Sequence, residues 1–376
     1  MKPEARHRFI SLDTLRGLCA IIVAIFHFKA DSFIAAIPVV KNGFLFVDFF
    51  FVLSGFVIAA NYQSRLENGL PIRFFMFLRL GRLYPLHIFV LLLFVAVASV
   101  KNIDNTYTVQ GFFVTAFLLQ SFVSDSQIDI WKVGNWNFAS WSIAAEIWTY
   151  LVVALLWRHL SRKLGALVLL TIIALAPIIL IETSDRYANV FFFPGGLTRC
   201  LYGFAFGVFA FRYWEKSGYE TLSRLSRLLC TILETGVLIS VATLVSVAGA
   251  GPYSLLCAPT FAVAVIIFAR EGGLFGSLFR VRALAILGTL SYSIYMTHEF
   301  VQARLLNLIH ALPKWIPIID EAHALKNTSI FPVTDIAVII MVLSTGTLSL
   351  FTFTLIEEPL RKWSKGTLEL KQKALA

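Results

Sequence analysis

Residues 164–181 read LGALVLLTIIALAPIILI, eighteen consecutive positions without a charge. A helix of that length crosses a hydrocarbon layer about 30 Å thick, and a soluble core element has no need of it. Ile88–Val100 and Val237–Val247 approach the same length. The composition around these runs agrees, with 58% hydrophobic and only 14% charged residues and a mean hydropathy of +0.78. Soluble domains are nearer a quarter charged, so a soluble chain of 376 residues with this makeup would lack the polar surface to cover its core. The 35 Phe residues suit a lipid-facing surface.

Apolar runs and their punctuation place about ten spans, near residues 12–34, 43–62, 83–100, 140–158, 164–182, 196–213, 230–249, 252–270, 283–309 and 332–356. Gly111–Phe122 is apolar but short, which suits a re-entrant or interfacial helix. Pro85 reads as a break just after Arg79 and Arg82, and Pro177 as a kink in the fifth span. Most of the 32 Lys and Arg residues then fall on one side. They include Lys2, Arg6, Arg8, Arg65, Arg73, Arg158, Arg162, Lys163, Arg212, Lys216, Arg224, Arg227, Arg270, Arg280 and Arg282. Basic residues concentrate in cytoplasmic loops. The expected fold is therefore an all-α, polytopic membrane helix bundle of about ten transmembrane helices with both termini cytoplasmic. It forms a single domain over 1–376, with its core at about 10–360 and a basic cytoplasmic tail at 361–376. Arg6, His7 and Arg8 precede an apolar stretch that contains Arg16 and His27 and lacks a small-residue cleavage site, so the first span is expected to be retained. The net charge of +10 follows from the same loop bias and calls for no nucleic acid. Cys19, Cys200, Cys230 and Cys257 show no metal or disulfide spacing.

Ionisable residues inside spans are costly and mark sites or pathways. The first span, SLDTLRGLCAIIVAIFHF over residues 11–28, holds Arg16 and His27. Eleven residues bring an α-helix back to within about 20° over a rise of about 16 Å, so both side chains share a face. Asp13 lies near that face. A cation at the mouth with an imidazole deeper in suits an anionic cosubstrate leading to a general base, because imidazole titrates near neutrality. The bland alternative is a packing histidine with a snorkelling arginine.

Elsewhere, VDFFFVLSGFVIA places Asp48 where it can pair with a cation or orient a histidine, and Ser54-Gly55 as a small pair for close helix packing. FLRLGRLYPLH puts Arg79 and Arg82 on one helix face, matched to phosphate groups or simply part of the basic loop charge. NWNFASWSIAAEIWTY buries Glu146 between Trp141 and Trp148, and LGTLSYSIYMTHEF sets Tyr295 and His298 three apart. LIEEPLRKW ends the last span with Glu357 and Glu358, carboxylates able to pair with nearby arginines.

Taken together, LDTLRG with the Arg16-x10-His27 spacing, DFFFVLSGFVI, FLRLGRLYPL, SWSIAAEIWTY, LSYSIYMTH and EEP resemble, in order and from residue 11 to 359, the bacterial acyltransferase-3 family. Phe300 stands where that family often has a proline. The resemblance implies an integral-membrane O-acyltransferase of the bacterial inner (cytoplasmic) membrane. Its donor would be a cytoplasmic acyl-CoA, acetyl-CoA foremost, and its acceptor a sugar hydroxyl of a surface polysaccharide, lipopolysaccharide or lipid-linked glycan. It implies catalytic roles for His27, Glu146 and Asp48, donor binding by Arg16, Arg79 and Arg82, and binding or structural roles for Ser54, Trp141, Tyr295, His298 and Glu358. Asp48 or Glu146 would fix the imidazole tautomer. No metal is implied, and membrane lipid is the other expected partner. The alternative class is a transporter or exporter of a sugar or lipid-linked glycan, with the buried polar groups as its path.

Overall fold

The computed structural model describes residues 9–28, 30–101, 108–122, 136–182, 195–217, 226–310, 325–326 and 333–375. Lys2, Arg6, Arg8 and Arg224 lie outside the described residues, as do most of the loops near 101–139 and 310–331. The chain opens with α1 (Ile10–His27), α2 (Phe46–Glu67), α3 (Ile72–Lys101) and the short α4 (Val109–Ala116). Then come α5 (Ser140–His159), α6 (Arg162–Glu182), α7 (Gly195–Ser217), α8 (Arg227–Ala248), α9 (Cys257–Phe268) and the short α10 (Leu274–Phe279). The last helices are α11 (Arg282–His310), α12 (Val333–Thr352) and α13 (Glu358–Leu375), the latter two joined through a π-helical turn at Phe353–Glu357.

Helix occupies all ten positions where the sequence places a span, and the chain is an all-α polytopic membrane protein. Seven of the described segments are long and apolar enough to cross a membrane. The others depart for physical reasons. Pro252–Phe268, made of a 3-10 turn and α9, is apolar but short. α7 and α11 are long, but their inner faces carry Arg199 and the His298-Glu299 pair. Among the described residues the only strand pairing is a two-residue parallel bridge, Ala30 with Leu325 and Asp31 with Lys326.

α2 and α5 form the centre, with 72% and 67% of their apolar stretches buried, against 22% for each of α6 and α8 at the rim. Phe residues fill this interior, contrary to the lipid-facing role expected from composition. Phe51, Phe56, Phe75, Phe204, Phe261 and Phe268 are fully buried. Helices in lipid associate through packing, because lipid tails are as apolar as the helices. Edge-to-face rings supply it here, as in Phe56 against Phe211 at 5.6 Å and Phe51 against Trp141 at 6.0 Å.

Helix is continuous through Pro85, where a break was expected, and through Pro177. A proline frees one carbonyl, which membrane helices tolerate when neighbours approach. Because α3 starts at Ile72, Arg79 and Arg82 sit inside a continuous helix rather than in a loop before it.

Glycines set the two tightest helix pairs. Gly17 of α1 meets the backbone of Leu287 and Gly288 in α11, and Gly288 meets the Asp13 carbonyl in return. Gly55 of α2 lies on the Phe204 carbonyl of α7, and Gly207 lies on Val52. Neither contact leaves room for a methyl group. Gly288→Leu is expected to cost about 1–3 kcal/mol or more through overpacking. Gly236→Ala, where the added carbon meets open space, should be neutral or slightly stabilising. Thermal unfolding of the two variants in one detergent checks the contrast.

The bundle has two distinct ends. At one, Ser11 donates to Glu271, Phe9 packs on Trp214 at 5.2 Å, and Phe77 meets Trp363 at 5.9 Å. Arg79, Arg82, Arg361 and Lys365 gather there, so the first and last helices meet on the same side. At the other end Asn42 donates to the Val245 carbonyl, and Ile34 N–H donates to Asp335. All four cysteines are free and buried.

Candidate active site

A cavity of about 100 Å³ opens between α1, α2, α3, α5 and α11. Its cations come from α1 and α3 as Arg16, Arg79 and Arg82. α2 and α5 contribute Ser54, Ser142, Glu146 and Tyr150, and α11 contributes Ser291, Tyr292 and Tyr295. Six of the residues singled out in the sequence therefore converge here, from five helices.

Arg16 is fixed by its neighbours on α11. Its Nε donates to Ser291 Oγ at 2.7 Å and its Nη2 to the Gly288 carbonyl at 2.9 Å, with Asp13 Oδ1 at 3.2 Å. The Gly17–Gly288 approach makes those bonds possible, so helix packing and site geometry share one cause. Arg79 is buried, donates to the Tyr62 hydroxyl at 2.8 Å and stacks 4.6 Å over the Tyr62 ring. Arg82 faces the carboxylates of Glu357 and Glu146 electrostatically.

Glu146 accepts hydrogen bonds from both Ser54 Oγ and the Tyr150 hydroxyl, and those two oxygens lie 2.6 Å apart. Ser54 thus points into the cavity, and only Gly55 of the expected packing pair does the packing. The Tyr295 hydroxyl is held by Ser142 at 2.8 Å, and Phe50 packs edge-on against the Tyr295 ring at 5.6 Å. Those two rings form one wall of the cavity.

His27 lies beyond that wall and does not line the cavity. Its Nδ1 sits 2.9 Å from the Val23 carbonyl and 3.2 Å from His298 Nε2. His298 Nδ1 sits 2.6 Å from the Tyr295 carbonyl. Carbonyl oxygens only accept, so each neutral ring carries its proton on Nδ1. His298 Nε2 then accepts from His27, and His27 Nε2 is left with its lone pair. Among the described residues no hydrogen bond reaches that nitrogen, and His27 is only partly buried. A backbone carbonyl and a second histidine set the tautomer, the role the sequence suggested for Asp48 or Glu146.

Asp48 instead forms a bidentate pair with Arg199 of α7, at 2.6 and 2.8 Å, and both side chains are buried. Of the two roles the sequence allowed Asp48, this is the pairing with a cation, and it is not beside the imidazole. Arg199 went unremarked in the sequence, although an arginine within a span is the same signal that marked Arg16. Trp141 is buried against Phe51 as packing. Glu358 faces outward and pairs with Lys362 at 2.9 Å. The neighbouring Glu357 is buried and accepts from Ser293 at 2.8 Å. Tyr292 donates to the Leu83 carbonyl at 2.5 Å, tying α11 to α3 just below Arg82. Among the described residues no group of three His, Cys, Asp or Glu could hold a metal ion.

A family model described as an acyltransferase domain matches residues 9–355, nearly the whole chain. "Protein 2 in picA locus" of Rhizobium radiobacter is 39% identical over 97 residues, covering 26% of this chain. Those residues are 49% of that protein, so the chain spans about half the length of this curated relative. No solved structure matches.

Proposed function

From the premise that this chain belongs to the acyltransferase-3 family, we propose that it moves an acyl group, acetyl foremost, from cytoplasmic acyl-CoA to a sugar hydroxyl of a surface glycan or lipid-linked precursor. The observation that carries this reading is the alignment of three arginines in a cavity with a histidine of defined tautomer beyond one of its walls. The arginines suit the phosphates of the donor, since guanidinium groups bind phosphate oxygens through paired N–H donors. The rise of about 16 Å between Arg16 and His27 is then bridged by the extended arm that carries the thioester.

In this reading His27 Nε2 takes the proton of the acceptor hydroxyl as its oxygen attacks the thioester carbonyl. The carbon–oxygen bond forms, the carbon–sulfur bond breaks, and the thiolate leaves to be protonated. His298 positions His27 by accepting from its Nδ1–H. The Glu146–Ser54–Tyr150 cluster orients the arm within the cavity. The bacterial inner membrane is the proposed location, with the basic end cytoplasmic in keeping with the positive-inside rule.

The test is to incubate purified protein with acetyl-CoA and a deacylated surface glycan. The expected result is one free thiol released per ester formed on the glycan. Glycan movement across proteoliposomes without thiol release would sink the enzymatic reading in favour of a transporter.

A further inference from the structure

A second cavity, of about 130 Å³, lies outward of the first at the basic end of the bundle. The two share Val57, Arg79 and Arg82 as a common wall. The outer chamber is closed by α13, which supplies Arg361, Ser364 and Lys365. Four of its lining side chains are cationic, and no carboxylate is among them. The nearby Glu358 is turned away toward Lys362. Arg79 is 8% exposed, and its Nε has no hydrogen-bond partner among the described residues. Its Nη2 donates to the Tyr62 hydroxyl, which holds the guanidinium at the wall that the two cavities share. Sequence also explains how α13 reaches this place. Gly81, between Arg79 and Arg82, lies against the buried Ser364, where any larger residue would push the tail helix off.

We infer that the outer chamber is a phosphate site, built jointly by the α3 arginines and the tail helix, which binds the diphosphate and nucleotide phosphate of the donor while the inner cavity takes its arm. This rests on the acyl-CoA reading above, but it assigns binding residues beyond position 355, where the family match ends. The tail, which the sequence presented as a basic extension, becomes part of the site. Arg361 and Lys365 serve as the outer half of a clamp whose inner half is Arg79 and Arg82.

The test uses full-length protein in phosphatidylcholine nanodiscs, titrated with inorganic pyrophosphate, coenzyme A and S-acetylpantetheine, which lacks the phosphates. The double variant Arg361→Gln/Lys365→Gln is compared with Lys362→Gln, whose ammonium is tied to Glu358. The expected result is a loss of about tenfold or more in affinity for pyrophosphate and coenzyme A in the double variant alone. S-acetylpantetheine should bind all three proteins equally. Wild-type protein that ignores pyrophosphate, or a double variant that binds it unchanged, overturns the proposal. If pyrophosphate binding depends on the tail but wild type ignores coenzyme A, the phosphate site stands and the donor reading falls. Displacement of pyrophosphate by phosphatidylglycerol in the nanodisc would then identify a lipid headgroup as the occupant.

Discussion

Replacing His27 with alanine is expected to lower acyl transfer by about 10²–10⁴-fold, the usual worth of a positioned general base, while the protein stays folded and membrane-inserted. The geometry makes that separation clean. The imidazole bonds to Val23 on its own helix and to His298 across the α1–α11 crossing, but that crossing is set by Gly17 and Gly288. His298→Ala should produce a smaller loss, because it frees the His27 ring without removing it. His298→Gln should retain more activity than His298→Ala, since an amide oxygen can accept the same Nδ1–H. A purely structural His298 would not respond to that rescue. Initial rates of thiol release at matched protein yield decide the matter, and a His27→Ala enzyme of near-normal rate would remove the base from the mechanism.

The second large effect concerns stability. Asp48→Leu or Arg199→Leu alone is expected to cost about 3–5 kcal/mol, because each leaves a buried charge without its partner. The double variant should recover much of that loss, since two apolar side chains need no compensation. Retention of the monodisperse peak after heating, measured for all four proteins, completes the cycle. Single variants as stable as the wild type would show that the pair contributes nothing. Acyl transfer per folded molecule should change little, because neither residue lines the cavity with the three arginines.

The spans were legible because each is a local property of some twenty residues. The same holds for the arginines of α3, whose spacing alone puts them on one face. Convergence was partly legible too: Arg16, Arg79, Arg82, Glu146, Ser54 and Tyr295 stood out as polar groups in apolar surroundings, and they meet in one cavity. What escaped depends on partners distant in the chain. Nothing near Asp48 announces Arg199, 151 residues away. The direction of Ser54 is set by Glu146 and Tyr150, on another helix. Pro85 reads as a break until α11 lies alongside through Tyr292. The choice between Glu357 and Glu358 turns on a backbone irregularity that carries no composition signal.

That irregularity, the π-helical turn at Phe353–Glu357, makes the tail's function a matter of chain length. A π turn accommodates one more residue than an α turn, and each residue is worth about 100° of helix rotation. Deleting a single residue there would restore ordinary winding and leave the downstream helix close to its present phase. The same deletion in the α turns that follow would swing everything downstream by about 100°, and the Arg361–Ser364–Lys365 face would rotate off Gly81. The consequence is a phase constraint with one tolerant turn: the π turn can absorb a change of length, but past it an insertion or deletion changes every later side chain at once.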